Sequence, residues 1–210
     1  MADIDRHIAA LLLKSKAVIL EPKNPFTWAS GWQSPIYCDN RVTLSYPEIR
    51  DYIKDAFAKV IQAHLPGPEL IAGVATGAIA QGALVADALD LPMVYVRASA
   101  KEHGRKNLVE GRMIPGQKVV VVEDLISTGG SSLKAVEALR EAGAEVLGMV
   151  AIFSYGFELA ADNFRKADVS LHTLTNYHIL IETALKSGAI QQDQVEMLQQ
   201  WRKDPSIWKG

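Results

Sequence analysis

Two adjacent carboxylates, Glu123 and Asp124, close a run of four valines, and a loop of glycine and hydroxyl residues follows them in the stretch VVVVEDLISTGGSS, Val119–Ser132. In an open parallel α/β sheet, ligands sit beyond the carboxyl ends of the strands, and the two acids fall at that place. A helical pattern begins just after Gly130, so its N-terminus points into the same crevice. Free backbone N–H groups and the helix dipole favour a phosphate there. Gly129 and Gly130 let the backbone come close to a ligand, and Ser127, Thr128, Ser131 and Ser132 add hydroxyl donors. Carboxylates beside an anion seat make sense when they face sugar hydroxyls or a bound Mg2+. Together the two halves describe a seat for a ribose 5-phosphate, with carboxylates on the ribose hydroxyls and loop amides on the 5-phosphate. A strand-to-helix turn with N-capping Ser and Thr also accounts for the hydroxyls, but not for two acids at the strand end. The GxxxxGK[ST] spacing of a nucleotide P-loop is absent.

A second constellation, YVRASAKEHGRKNLVEG at residues 95–111, gathers Arg97, Lys101, His103, Arg105 and Lys106 around two glycines. One reading is an ordinary solvated basic loop. The other is a lid that brings cationic donors to a departing anion and excludes water on closing.

The elements that must position these residues follow from periodicity. Residues 3–16 read as a helix with acids in its first turn and lysines in its last. AVIL reads as a short strand. Residues 24–40 are aromatic and Pro-containing, either an ordered loop with short strands or a linker, and their aromatic content speaks against disorder. Pro47 opens a helix whose apolar residues, from Ile49 to Leu65, recur every three or four positions. Strands LIAGVAT, MVYVR, KVVVVED, EVLGMVAIF and VSLHTL then alternate with helices AIAQGALVADAL, SSLKAVEALREA and one near 157–166. Gly143 is the expected C-terminal stop of the second of these. The tail from Asn176 carries two more helical patterns. Alternation with continuous apolar strands implies a mainly parallel sheet covered on both faces. The expected organisation is a single domain over 1–210, with a core at about 46–175 and a small hood from about 1–45 and 176–210.

Composition narrows the classes. The chain has 210 residues, a net charge of -2 and one cysteine, Cys38. The charge gives no broad basic footprint for nucleic acid, and a lone cysteine suits a reducing compartment. No apolar run reaches the roughly 18 residues of a membrane span, and IAALLLKSK reads as a helix face rather than a signal peptide. A cytoplasmic protein without a membrane or nucleic-acid partner is expected. His7, His64, His172 and His178 are scattered without metal-ligand spacing, and Trp201 and Trp208 are expected to pack the tail.

VVVVEDLISTGGSS resembles the phosphoribosyl-diphosphate signature of type I phosphoribosyltransferases. The basic loop is similar to the catalytic loop of the orotate phosphoribosyltransferases: an arginine, a lysine four residues on, His-Gly, then Glu-Gly at its end. FTWASGWQSPIYCDNR likewise resembles that family's N-terminal segment beside the pyrimidine. These motifs span about residues 26–155. The resemblance implies a type I phosphoribosyltransferase fold and an Mg2+-dependent pentosyltransferase of pyrimidine biosynthesis, which passes ribose 5-phosphate from phosphoribosyl diphosphate to orotate. It implies a homodimer whose loop, at about 98–113, serves the neighbouring subunit's site. Arg97, Lys101 and His103 would contact the diphosphate. Glu123 and Asp124 would hold the ribose. Leu125, Ile126, Ser127, Thr128, Gly129, Gly130 and Ser131 would complete the phosphoribosyl-diphosphate site. Ser127, Tyr37 and Cys38 would line the orotate pocket. Lys101, His103 and Asp124 would be catalytic, and Mg2+ would be held mainly by substrate and water. The chain departs from many members at Ala98 and Ala29, where they have lysine, and at ATGAIA, where they have Tyr-Lys-Gly; no arginine for the orotate carboxylate appears around Tyr155 and Gly156. Two other readings are a phosphoribosyltransferase for another nucleobase and a non-enzymatic, phosphoribosyl-diphosphate-sensing regulator that binds nucleic acid.

Overall fold

The structure, a computed structural model, describes residues 4–27, 31, 33–99, 108–205 and 207–208. In chain order it begins with helix α1 (Ile4–Lys14) and strands β1 (Val18–Leu20), β2 (Phe26–Thr27), β3 (Gln33–Ser34) and β4 (Ile36–Cys38), then a 3-10 helix over Asn40–Ser45. Helix α2 (Pro47–His64) leads into β5 (Leu70–Val74), α3 (Ile79–Leu89), β6 (Met93–Val96), β7 (Val109–Glu110) and β8 (Lys118–Ile126). Then come α4 (Gly130–Glu141), β9 (Glu145–Ser154), α5 (Glu158–Lys166), β10 (Leu171–Asn176), α6 (Tyr177–Lys186) and α7 (Gln192–Lys203). The chain forms two compact units: a central one over Arg50–Leu174 and a terminal one from Met1–Ile49 with Thr175–Gly210.

The central unit is built on a six-stranded sheet of order β10-β9-β8-β5-β6-β7. β6, β5, β8 and β9 run parallel to their neighbours, and β7 adds an antiparallel edge on β6. Val119, Val120, Val121 and Val122 are all fully buried. A strand's side chains alternate between faces, so four buried residues in succession mean that both faces of the sheet are covered. On one face, Leu70, Ala72 and Val74 of β5 and Val119 and Val121 of β8 share a core cluster with Leu133, Val136 and Leu139 of α4 and Phe164 of α5. The chain passes from β5 outward to β6 and β7, then returns to β8 on the other side of β5. The crevice where strand order reverses, at the carboxyl ends of β5 and β8, is the ligand position of such sheets.

Several boundaries differ from the sequence reading. β8 continues two residues beyond Asp124 to Ile126, because Leu125 and Ile126 still pair with Phe153 and Ser154. The expected strand at residue 169 starts at Leu171, after Asp168 turns through a left-handed conformation. The polar stretch after Arg97 hides an unforeseen strand, β7, which pairs Tyr95 with Glu110 and Val96 with Val109. α4 ends at Glu141 with Gly143 left-handed just beyond it, as its composition predicted.

In the terminal unit, β1 and β4 pair antiparallel, as do β2 and β3, so the described residues of the aromatic stretch form short strands. α1 packs on α6. Trp201 is fully buried, donates through Nε1 to the Gln33 carbonyl at 3.1 Å and lies 5.7 Å from the Tyr177 ring. Tyr177 in turn donates its hydroxyl to the Leu198 carbonyl at 2.9 Å. No described helix is long and apolar enough to cross a membrane.

Close approach of α3 to β5 sets the floor of the crevice. A Cβ on Gly73 would lie 2.8 Å from the Ala78 carbonyl oxygen, and one on Gly82 would lie 3.0 Å from the Gly73 Cα. These are backbone contacts and have little room to yield. Gly73→Ala should therefore cost about 1–3 kcal/mol through overpacking, lowering Tm by roughly 5 °C in a chain of this size. An unchanged Tm on thermal unfolding would mean that α3 can lift off the strand freely.

Candidate active site

β8 carries both acids to the carboxyl end of the sheet. Glu123 follows Val119 and Val121 onto the α4 face and is only 5% exposed. Its Oε1 accepts the Asp124 N–H at 2.9 Å, and its Oε2 accepts the Ser132 hydroxyl at 2.8 Å. Burial, then the side-chain hydrogen bond and charge of Asp124, push the Glu123 pKa up to about 8. At neutral pH Glu123 is therefore mainly a neutral acid. Asp124 is half-buried, with its carboxyl group close enough to that of Glu123 to hydrogen-bond it. A Cβ on Gly77 would overlap all three carboxyl atoms of Asp124. Gly77 does not have a positive φ, so the position needs glycine for space rather than for backbone conformation. Gly77 belongs to the turn between β5 and α3, so the contact joins the carboxyl ends of both central strands.

The two carboxylates thus divide their work. Glu123 is hydrogen-bonded within the protein, and Asp124 lies against Gly77. Ser132, counted in the sequence reading among the loop hydroxyls, is buried and holds Glu123. Its helical spacing from Val136 and Leu139, four and seven residues on, was the signal that it faces inward.

The loop between β8 and α4 is short and open. Gly129 is the N-cap of α4, with φ 80° and no side-chain cap. The first helical bond runs from the Leu133 N–H to the Gly129 carbonyl at 2.9 Å, so the N–H groups of Gly130 and Ser131 precede the ladder. The capping explanation for the hydroxyls therefore does not hold. Among the described residues, the Ser127, Thr128 and Ser131 side chains make no hydrogen bond. Leu125 is half-buried, whereas Ile126 is fully buried in the core cluster, so only its backbone is available to a ligand.

Arg97 follows β6 directly. Its N–H donates to the Leu108 carbonyl at 2.9 Å, and its Nη1 pairs with Glu110 Oε1 at 3.5 Å. The arginine expected to contact diphosphate is thus tied to the β6–β7 pair. Lys101 and His103, with Arg105 and Lys106, lie outside the described residues, as do Trp28, Ala29 and Trp32. Tyr37 and Cys38 lie on β4 of the terminal unit. The Tyr37 ring is exposed and 5.7 Å from Phe26, and Cys38 Sγ approaches Asn40 Oδ1 at 3.5 Å.

Two histidines read as scattered are in fact neighbours. The His64 and His172 rings stack at 4.8 Å, and His172 Nε2 lies 2.9 Å from Ser170 Oγ. Burial, then the His64 charge, hold the His172 pKa below the usual value. Among the described residues, no group of three or more His, Cys, Asp or Glu could hold a metal. A cavity of about 250 Å³ between α6 and α7, lined by Tyr177, His178, Arg202 and their neighbours, contains none of the expected substrate-binding residues.

Glu123 leaves a signature in stability. The folded chain keeps its proton up to about pH 8, whereas an unfolded glutamate loses it near 4.5. Between those values the folded state binds the extra proton, so this contribution to stability falls as pH rises. Denaturant unfolding at pH 5 and pH 8 should show the wild type losing a few kcal/mol relative to Glu123→Gln. Parallel stability curves for the two proteins would mean that Glu123 is ionised in the fold.

Comparison with known proteins agrees with this geometry. Residues 44–187 match the phosphoribosyl transferase domain family. An orotate phosphoribosyltransferase of Porphyromonas gingivalis is 61% identical over 208 residues, covering 99% of each chain. One from Cytophaga hutchinsonii is 58% identical over 204 residues, covering 97% of this chain and 98% of its own. The crystal structure of orotate phosphoribosyltransferase from Aeropyrum pernix superposes with a TM-score of 0.76 at 31% identity, over 88% of this chain and 99% of that one. A mainly parallel sheet with its acids and glycine loop at the switch point, matched along nearly the whole chain, makes this protein a member of the orotate phosphoribosyltransferase family, within the type I phosphoribosyltransferase fold.

Proposed function

We propose that the chain transfers ribose 5-phosphate from phosphoribosyl diphosphate to N1 of orotate, yielding orotidine 5′-phosphate and diphosphate, a pentosyl transfer of pyrimidine biosynthesis. The observation that carries this reading is the division of labour at the end of β8. Glu123 is buried and hydrogen-bonded, while Asp124 stands at the crevice beside the open N-terminus of α4. A neutral polyol next to a phosphate monoester fits that pair of surfaces.

Breaking the C1′–diphosphate bond leaves positive charge on the ribose and negative charge on the departing group. Catalysis then rests on charge stabilisation by groups already in place. Asp124 holds ribose hydroxyls and lies on the side where positive charge develops. The amides of Gly129, Gly130 and Ser131 anchor the 5-phosphate, with the hydroxyls of Ser127, Thr128 and Ser131 beside them. Arg97, Lys101 and His103 meet the diphosphate, with Arg97 anchored at the end of β6 beside Glu110. Ser127, Tyr37 and Cys38 contact orotate.

The donor set fits Mg2+, which keeps several waters and takes one or two carboxylates plus substrate oxygens rather than a protein cage. Asp124 would hold it through ribose hydroxyls and water. When bound, Mg2+ would offset charge on the diphosphate. The working unit is a homodimer in the cytoplasm, each loop serving the neighbouring site, with the terminal segments as the hood of a single domain.

The assay follows orotate absorbance with phosphoribosyl diphosphate and Mg2+. Orotate should be consumed, uracil should not, and EDTA should stop the reaction. Consumption of another base in place of orotate would reject the substrate. Lys101→Ala should lower kcat by about 10²–10³ with an unchanged unfolding curve, and a normal kcat would remove Lys101 from the mechanism. Mixing inactive Lys101→Ala and Asp124→Asn chains should restore activity in heterodimers, because each heterodimer then holds one complete site. No recovery after verified subunit exchange would mean that each loop serves its own chain.

A further inference from the structure

The phosphate loop is braced from behind by α5, and this brace decides which way one of its peptides faces. Asn163 of α5 donates its Nδ2–H to the Thr128 carbonyl at 3.0 Å. The next residue of the helix, Phe164, is buried under Gly129; a Cβ there would meet the ring edge at 2.6 Å. The C-terminus of the brace, about one turn on, is fixed too. Arg140 of α4 donates to the Ala167 and Asp168 carbonyls, just past α5, at 2.7 and 3.0 Å. α5 is therefore tied to the loop at Asn163 and to α4 just past its C-terminus.

A trans peptide is planar, so its C=O and N–H point in opposite directions. The Thr128–Gly129 peptide is held with its oxygen turned toward α5, and its N–H is thereby aimed away from α5. Gly129 is the N-cap of α4, and its N–H joins those of Gly130 and Ser131 at the open end of that helix. A turn of this peptide would instead present a carbonyl oxygen to the anion. Phe164 blocks any side chain that would alter the loop path, and Gly129 alone tolerates the φ of 80°.

We infer that Asn163 is a positioning residue for the 5-phosphate, acting through the Thr128–Gly129 peptide to present the Gly129 N–H to that anion. The inference rests on the reading of residues 127–131 as a phosphate seat. Asn163 contacts the loop from outside and touches no substrate. Because the 5-phosphate is held alike before and during transfer, the interaction is uniform and should appear in KM rather than kcat.

The test is calorimetric binding of ribose 5-phosphate and, separately, of inorganic diphosphate to the full chain, with KM and kcat for phosphoribosyl diphosphate alongside. Asn163→Ala, a favourable helix substitution, should weaken ribose 5-phosphate and raise KM by roughly three- to tenfold, the loss of one oriented hydrogen bond. Diphosphate affinity and kcat should stay within about twofold of wild type. Asn163→Gln keeps the amide donor and should recover part of the loss. Equal ribose 5-phosphate affinity in wild type and Asn163→Ala overturns the inference, as does an equal loss for both ligands, which marks general loosening. If the wild type itself does not bind ribose 5-phosphate, the phosphate seat fails and the role of Asn163 fails with it.

Discussion

A carboxyl group buried at the end of an apolar strand is the constraint on which the site depends. Removing such a group from water costs several kcal/mol unless it is neutralised and hydrogen-bonded. Glu123 meets both conditions: its pKa is raised, and its oxygens take the Asp124 N–H and the Ser132 hydroxyl. The second bond reaches into the first turn of α4, so the helix start is tied to the strand end. The loop from Ser127 to Gly129 must then close a fixed gap. Asp124, the next residue, lies close enough for its carboxyl group to hold the Glu123 proton in place.

Small residues collect where backbones converge. Gly73 and Gly82 let α3 lie against β5, and Gly77 leaves room for the Asp124 carboxyl group. Gly129 serves a double purpose, with a left-handed φ and the Phe164 ring against its α-carbon. These glycines answer to different demands. Only Gly129 among the four needs its freedom of φ; the other three are required by close packing. One substitution rule would therefore misjudge them.

The terminal unit is assembled by ties distant in sequence. Trp201 of α7 reaches the Gln33 carbonyl in β3, and Tyr177 of α6 reaches Leu198 of α7. Each is an aromatic body with one polar atom, buried only because that atom finds a partner. Burial raises the Tyr177 pKa well above the usual phenol range, which keeps the hydroxyl a donor.

Periodicity and composition by themselves determined the order of strands and helices, the covered parallel sheet and the place of Glu123 and Asp124 at a strand end. They did so because burial on two faces demands an unbroken apolar run, and VVVV provides it. The motif also placed Gly129 and Gly130 at the turn into α4, where the structure has Gly129 as the N-cap. What sequence could not decide was which groups each polar side chain would meet. Ser132 looked like one more loop donor until the α4 register turned it onto Glu123. The two acids looked equivalent until the fold buried one. β7, only two residues long, was invisible because a strand that short has no period and is defined by its pairing with β6. Asn163 carried no signal at all: it lies 35 residues from Thr128, and only the packing of α5 brings its amide to that carbonyl. Local pattern fixes elements because it is a property of neighbouring residues. Hydrogen bonds between distant residues are fixed by the tertiary structure, because no nearest-neighbour preference encodes them.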